Sequence, residues 1–206
     1  MTKKFCFAAL LIVGLASCLN ADQPQADDAI RELVGRGAII KRFEVREAET
    51  VGLLVRLKAG HLDTDGRVDP KIVEQLSRLS DLALELRSLP LSDEGLKNLL
   101  ARTQPIGLDL SGSKVTDRGF SVVTQATKLR WLDVSFTMIS DDGLKSLSKL
   151  RELRHVSAMK CDVTDNGIGH LASLRSLREV YLSDTRVTDR GIERLRQRLP
   201  KCRIER

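Results

Sequence analysis

Apolar residues along this chain fall into columns 24 positions apart. Leu84, Leu108, Leu132, Val156 and Val180 form one column, Leu86, Leu110, Val134, Ala158 and Leu182 a second, and Leu91, Val115, Ile139, Val163 and Val187 a third. Two more begin at Leu96 and Leu99 and run at the same step to Ile192 and Leu195. Polar positions keep the same register. Glycine stands at 95, 119, 143, 167 and 191, an aspartate two residues before each, and a serine or threonine before that. No insertion interrupts the count. Several columns aligned at such a period predict a solenoid, in which each unit completes its core only against its neighbours.

Within one unit the period changes. Leu132-Asp133-Val134 alternates, as a strand with one buried face does, whereas Leu144, Leu147 and Leu150 follow helical spacing. The Ser/Thr-Asp pair sits where the helix should start, so each aspartate is expected to serve its own helix, satisfying free N–H groups and the positive end of the dipole. The glycine that follows would allow close backbone approach in the first turn. A ladder of carboxylates could instead gather Ca²⁺, but the glycine-aspartate nonapeptide of calcium-binding β-rolls is absent, and capping is the preferred reading.

Leu129-x-x-Leu132-x-Val134-x-x-Thr137-x-Ile139 resembles the leucine-rich repeat pattern, and the TDxGLxxL tail resembles the helix-bearing, ribonuclease-inhibitor-like and bacterial members of that class. The resemblance implies an α/β solenoid, a curved horseshoe with parallel strands on its concave face and helices on its convex face. Five clear units cover residues 82–200. Residues 51–80 form a degenerate first unit whose Val68-Asp69-Pro70 aligns with the helix start, and Cys202-Arg203-Ile204 begins a last strand. Leu89 and Ser113 depart from the family's Asn or Cys, with Thr137, Cys161 and Thr185 as milder substitutes. Residues 29–50 read as an N-terminal cap, with a helix over Ala29–Val34, a break at Gly37 and then a strand. Residues 18–28 read as a polar tether.

The start of the chain carries an address. Lys3 and Lys4 precede a 13-residue apolar stretch, Phe5–Ser17, too short to span a bilayer but suited to an export signal. Leu15-Ala16-Ser17-Cys18 resembles the lipobox of bacterial lipoproteins, which implies cleavage of residues 1–17 and lipid on Cys18. Cleavage after Ala21 with plain secretion, and an uncleaved anchor, are the alternatives. The expected location is the cell envelope, lipid-anchored to a membrane and facing the periplasm or exterior. Removing Lys3 and Lys4 lowers the formal charge of +6 by two, leaving a mild excess. Residues 189–206 hold seven basic and three acidic side chains, read as a solvated end, with contact to an anionic membrane or polymer as the minor alternative. Cys161 and Cys202 lie nearly two units apart, about 8–10 Å in a stacked sheet, so free thiols are expected.

Reactive residues are scattered. His61, His155 and His170 make no metal cluster, there is no HExxH, CxxC or phosphate-loop motif, and no metal or cofactor is expected. The concave face is more informative. Its rows should be Glu85, Asp109, Asp133, Ser157, Tyr181; Ala83, Gly107, Trp131, His155, Glu179; and, after the strand, Arg87, Ser111, Ser135, Met159, Ser183 and Ser88, Gly112, Phe136, Lys160, Asp184. Aromatics are only 3% of the chain, yet Trp131, Phe136 and Tyr181 fall here. With His155 and Met159 they would form a central patch beside an acidic strip of Glu85, Asp109 and Asp133, suited to a protein partner. The alternative is that Phe136 tucks into its loop and Trp131 merely covers strand edges. Asp109 and Asp133 are the only carboxylate pair a glycosidase reading could use, and a shallow strand face excludes too little water for it. The expected function is therefore non-catalytic protein binding by a monomer that contacts no nucleic acid. A structural or spacer role is the runner-up.

Overall fold

A computed structural model describes residues 23–45 and 50–206. The expected signal at 1–17, the lipid site Cys18 and the first residues of the tether lie outside the described residues. Helix α1 (Gln23–Gly35) leads to strands β1 (Ile39–Val45) and β2 (Thr50–Arg56), and α2 (Pro70–Ser77) follows. Five units then repeat strand and helix: β3 (Leu82–Glu85) with α3 (Asp93–Leu100), β4 (Gly107–Asp109) with α4 (Asp117–Phe120), β5 (Trp131–Asp133) with α5 (Asp141–Ser146), β6 (His155–Ser157) with α6 (Asp165–Gly169), and β7 (Glu179–Tyr181) with α7 (Asp189–Arg198). Strand β8 (Arg203–Glu205) is the last element. All eight strands form one sheet in sequence order. β1 pairs antiparallel with β2 and every later pair is parallel, with Leu84, Leu108, Leu132, Val156, Val180 and Ile204 in direct register.

Helix α1 begins six residues before Ala29, so Gln23–Asp28 is helix where the sequence suggests tether. Ala26, Ala29, Ile30 and Leu33 all pack on the core at helical spacing, which extends the apolar stripe one turn toward the N-terminus. Gly37, at φ +92°, ends this cap helix and turns the chain into β1. His61 is buried between cap and first unit: its Nδ1 accepts from the Lys58 N–H at 2.9 Å and its Nε2 donates to the Arg36 carbonyl at 2.9 Å.

The apolar spacing selects the kind of helix. Phe120, Val123 and Ala126, like Leu144, Leu147 and Leu150 or Ile168, Leu171 and Leu174, recur every third residue, and all nine are buried. Three residues per turn is the 3₁₀ repeat. In these units the α-turn gives way to 3₁₀ turns at 121–125, 147–149 and 170–173. Along α7 and its C-cap the buried apolar side chains are Ile192, Leu195 and Leu199, so the second step is four and the α-helix continues.

Asp69 caps its own helix α2, accepting from the Lys71 N–H at 2.7 Å, but Asp93, Asp117, Asp141 and Asp165 do not cap theirs. Each of these four carboxylates reaches into the following unit and accepts from both the N–H and the hydroxyl of the Ser or Thr there. Thr116 donates to Asp93 at 2.8 and 2.7 Å, Thr164 to Asp141 at 2.8 and 2.6 Å, and Thr188 to Asp165 at 2.8 and 2.7 Å. Ser140 does the same with Asp117. Capping falls to the hydroxyls: Ser92 accepts from the Gly95 N–H at 3.1 Å, Thr164 from Asn166 at 3.2 Å and Thr188 from Gly191 at 3.2 Å. One hydroxyl thus donates to the preceding unit and accepts from its own helix, which a carboxylate cannot do. The glycine is fixed by the same contact, because a Cβ at Gly119, Gly143, Gly167 or Gly191 would land on the aspartate of the unit before. At Asp165 the Thr188 N–H and hydroxyl, followed by Arg194, hold the carboxyl below its ordinary value. That contribution to stability is present above the ordinary range and is lost as pH falls through the lowered value.

At the first step a carbonyl stands in for the carboxylate, since Gly66 O accepts both the N–H of Ser92 at 3.1 Å and its hydroxyl at 3.3 Å. Where the family favours Asn or Cys, Thr137, Cys161 and Thr185 each donate to a loop carbonyl. The Ser113 hydroxyl is buried without a partner, and the apolar Leu89 has nothing to donate. Cys161 and Cys202 are free and buried, and burial raises both thiols, Cys202 to about 11.

Asp93→Ala should destabilise the chain by about 2–3 kcal/mol, since it strips two donors of a charged acceptor. Gly119→Ala should also destabilise it, by pushing that carboxylate aside. In denaturant titrations the double variant should lose clearly less than the sum, because the added methyl then fills the space the carboxylate left. Strict additivity would show that glycine and aspartate are not coupled.

Candidate binding surface

The strands place the expected rows as the 24-residue register requires: Trp131 pairs with His155 and His155 with Glu179, while Glu85, Asp109, Asp133, Ser157 and Tyr181 run in line beside them. Their exposure differs sharply. Asp109 is 1% exposed and Asp133 3%, so the expected acidic strip is the floor of the face rather than a contact surface. Ser111, Ser135 and Ser157 are buried with them, because small side chains about 5 Å apart close over one another. Asp109 accepts from the Ser111 N–H at 2.9 Å and hydroxyl at 2.6 Å, and pairs with Arg87 at 3.2 Å. Glu85 pairs with Arg56 at 2.7 Å. Asp133 accepts from the Ser135 N–H at 2.8 Å, and the Ser135 hydroxyl bonds Ser157 at 2.7 Å and accepts from the Met159 N–H at 3.1 Å. Among the described residues no three His, Cys, Asp or Glu side chains lie together as metal ligands would.

Above this floor stand the larger side chains. Trp131, His155, Met159 and Tyr181 are all half-buried. Trp131 leans over Gly107, where its Cε3 lies 3.6 Å from the position a Cβ would take. Glu179, missing from the sequence-derived patch, ties it together: its Oε2 accepts from the Tyr181 hydroxyl at 2.9 Å and lies 3.4 Å from His155 Nδ1. Burial, then the Glu179 carboxylate, push the Tyr181 phenol up to about 12, so it stays a donor across the physiological range.

Phe136 lies on the rim where the chain leaves β5. It neither tucks in nor joins the floor; it is 56% exposed. Ser88, Gly112, Phe136, Lys160 and Asp184, again 24 apart, all have φ between +55° and +68°. The N–H groups of Ser88, Gly112, Phe136 and Lys160 continue the ladder beyond the strand, as from Phe136 to the Met159 carbonyl at 2.9 Å, and the left-handed bend follows from that geometry. A bulky residue at such a position is strained, by roughly 1–2 kcal/mol. The Lys160 ammonium stands 5.2 Å from the Phe136 ring centre. Met138, two residues on, is 60% exposed and was not singled out from sequence. Its signal was an apolar residue in a column otherwise held by Lys114, Asp162 and Arg186.

Burial, partly offset by the Ser135 hydrogen bonds and reinforced by Asp109, raises the Asp133 carboxyl above its ordinary 3.8. The fold then holds this proton more tightly than the unfolded chain does, so stability falls as pH climbs from 3.8 through the raised value. Asp133→Asn should raise the thermal midpoint at neutral pH, and the gain should vanish below about pH 4. A loss at neutral pH would mean that the charged form is the favoured one.

Residues 125–148 and 173–195 match the family described as Leucine Rich repeat. No curated protein matches the chain. Among solved structures, a leucine-rich repeat protein of Leptospira interrogans is similar at 23% identity and a TM-score of 0.45, over 68% of this chain and 34% of that one. The chain thus spans about a third of that protein's length. One parallel strand per 24-residue unit with a helix following it makes this chain an α/β solenoid, two stretches of which match the leucine-rich repeat family.

Proposed function

We propose that the chain is a non-catalytic protein-binding module of the bacterial cell envelope, held there through lipid on Cys18, with its partner site on the concave face. The observation that carries this reading is the half-exposed cluster of Trp131, His155 and Tyr181 on three successive strands, with Tyr181 fixed by Glu179. Aromatic anchors of this kind dominate interface energetics. Strand-borne side chains already tied by hydrogen bonds lose little freedom on binding. Phe136 adds weight, because a ring kept half-exposed on a strained backbone gains little from packing beyond the Lys160 ammonium over it. Asp109 and Asp133 shape the floor and hold Arg87 and Ser135 in place. Export and lipidation rest on Lys3, Lys4, the apolar stretch and Leu15–Cys18.

A crosslinking pull-down from native envelopes tests the face. Trp131→Ala/Tyr181→Ala should lower recovery of the captured protein about tenfold or more while the variant remains folded. Phe136→Gly should keep or raise stability, by up to about 1 kcal/mol, and still weaken capture. Undiminished recovery by both variants would move the contact to the helical face or leave the solenoid a spacer.

A further inference from the structure

The two flanks of the solenoid carry opposite charge. The loops that feed strands β5 to β8 (125–130, 149–154, 173–178 and 197–202) contain nine Lys or Arg and one acid. The loops that leave β4 to β7 on the other flank, together with the helix starts they lead into (111–118, 135–142, 159–166 and 183–190), contain five basic and seven acidic residues. On the basic flank the repeat stacks Arg130, Arg154 and Arg178 at the strand starts, about 5 Å apart along the sheet. Arg151 and Arg175 form a second row beside them.

Much of this flank makes no ion pair among the described residues. Arg130 pairs with Glu152 at 3.3 Å, while its Nη1 is buried with no acceptor. Lys128, Lys149, Arg151, Arg175, Arg178 and Lys201 make no ion pair among the described residues, and all six are exposed. Arg175 and Arg178 are nonetheless held, by carbonyls: Arg175 Nη1 donates to Arg198 O at 2.7 Å, and Arg178 Nη1 to the carbonyls of Arg175 and Leu177 at 3.3 and 3.2 Å. A carbonyl fixes a guanidinium without cancelling its charge, so the remaining donors stay available for an outside anion.

We propose that this flank docks on an anionic membrane surface, with the strands upright and the acidic flank facing away. Three features favour a membrane over a chain-like polyanion. The basic residues spread over several parallel rows, a plane rather than a groove. The loops offer no ladder of aromatic rings on which bases could stack. The acidic opposite flank gives the molecule a dipole across the strands, which orients it on a charged plane. Arginine suits the phosphodiester of a lipid headgroup, which it can grip with two donors.

The test is cosedimentation of the full chain with phosphatidylcholine vesicles, with and without phosphatidylglycerol. Lys128→Glu/Arg151→Glu/Lys201→Glu alters exposed side chains on the basic flank. Lys114→Glu/Arg118→Glu/Arg190→Glu makes the same change of net charge on the other flank. All three proteins share residues 1–22, so any insertion by that segment is common to them. Phosphatidylglycerol should strengthen binding of the unaltered chain and of the second variant at least tenfold, an effect lost at high salt and in the first variant, since each basic side chain at such a surface contributes roughly fivefold. Equal losses in both variants would reduce the effect to net charge and overturn the proposal. So would binding indifferent to phosphatidylglycerol, or binding to soluble heparin alone through the same residues. Circular dichroism of both variants confirms that each is folded before the comparison.

Discussion

The aspartates at the heads of helices α3 to α6 spend their two oxygens on the next unit, and the stack depends on that contact. A repeat protein has only nearest-neighbour interfaces, so its cooperativity lies in what one unit does to the next. Apolar columns supply most of the burial but tolerate slippage, because one leucine resembles another. The carboxylate does not slip, since it needs one N–H and one hydroxyl at fixed positions and a bare Cα beneath it. The combination Ser/Thr-Asp-x-Gly is the set of residues that satisfies both sides of this joint. It explains why the count of 24 is kept without insertion. At the ends of the described stack the role passes to other groups: the Gly66 carbonyl takes it at the first step, and Arg206 both pairs with Asp189 and donates to the Val187 carbonyl.

The same spacing gives two carboxylates opposite characters. Asp165 receives donors on both oxygens, so its charge is favoured and its carboxyl is lowered. Asp133 faces a floor of serines about 5 Å from Asp109, and loss of water outweighs its hydrogen bonds. The floor is narrow because Gly107 and the serines take little room, which lets Trp131 lean across instead of standing into solvent. A concave face built this way presents its bulky side chains and conceals its acids.

The surface divides by direction along the strands. Residues within the strands form the concave face, residues before them the basic flank, and residues after them the strained left-handed rim that carries Phe136. A protein partner on the first and an anionic plane against the second would not compete, because the two surfaces meet only along the edge of the sheet.

Sequence alone determined the solenoid, its 24-residue register, the single strand per unit and which side chains share a row, because periodicity of burial is a local property that neighbours merely repeat. It also located the helix starts and the free thiols. Tertiary structure decided what those positions do. That Asp93 bonds Thr116 rather than its own helix depends on where the next unit lies, as does the bare glycine beneath it. The burial of Asp109 and Asp133 likewise depends on side chains 24 residues away in both directions. Glu179, placed on the face but not in the patch, and Met138, not noticed, take their roles from the side chains of Tyr181 and His155 and from an outward-facing loop. A period read along the chain fixes which residues stack, but the distance and angle between stacked units set their hydrogen bonds, their exposure and their charge.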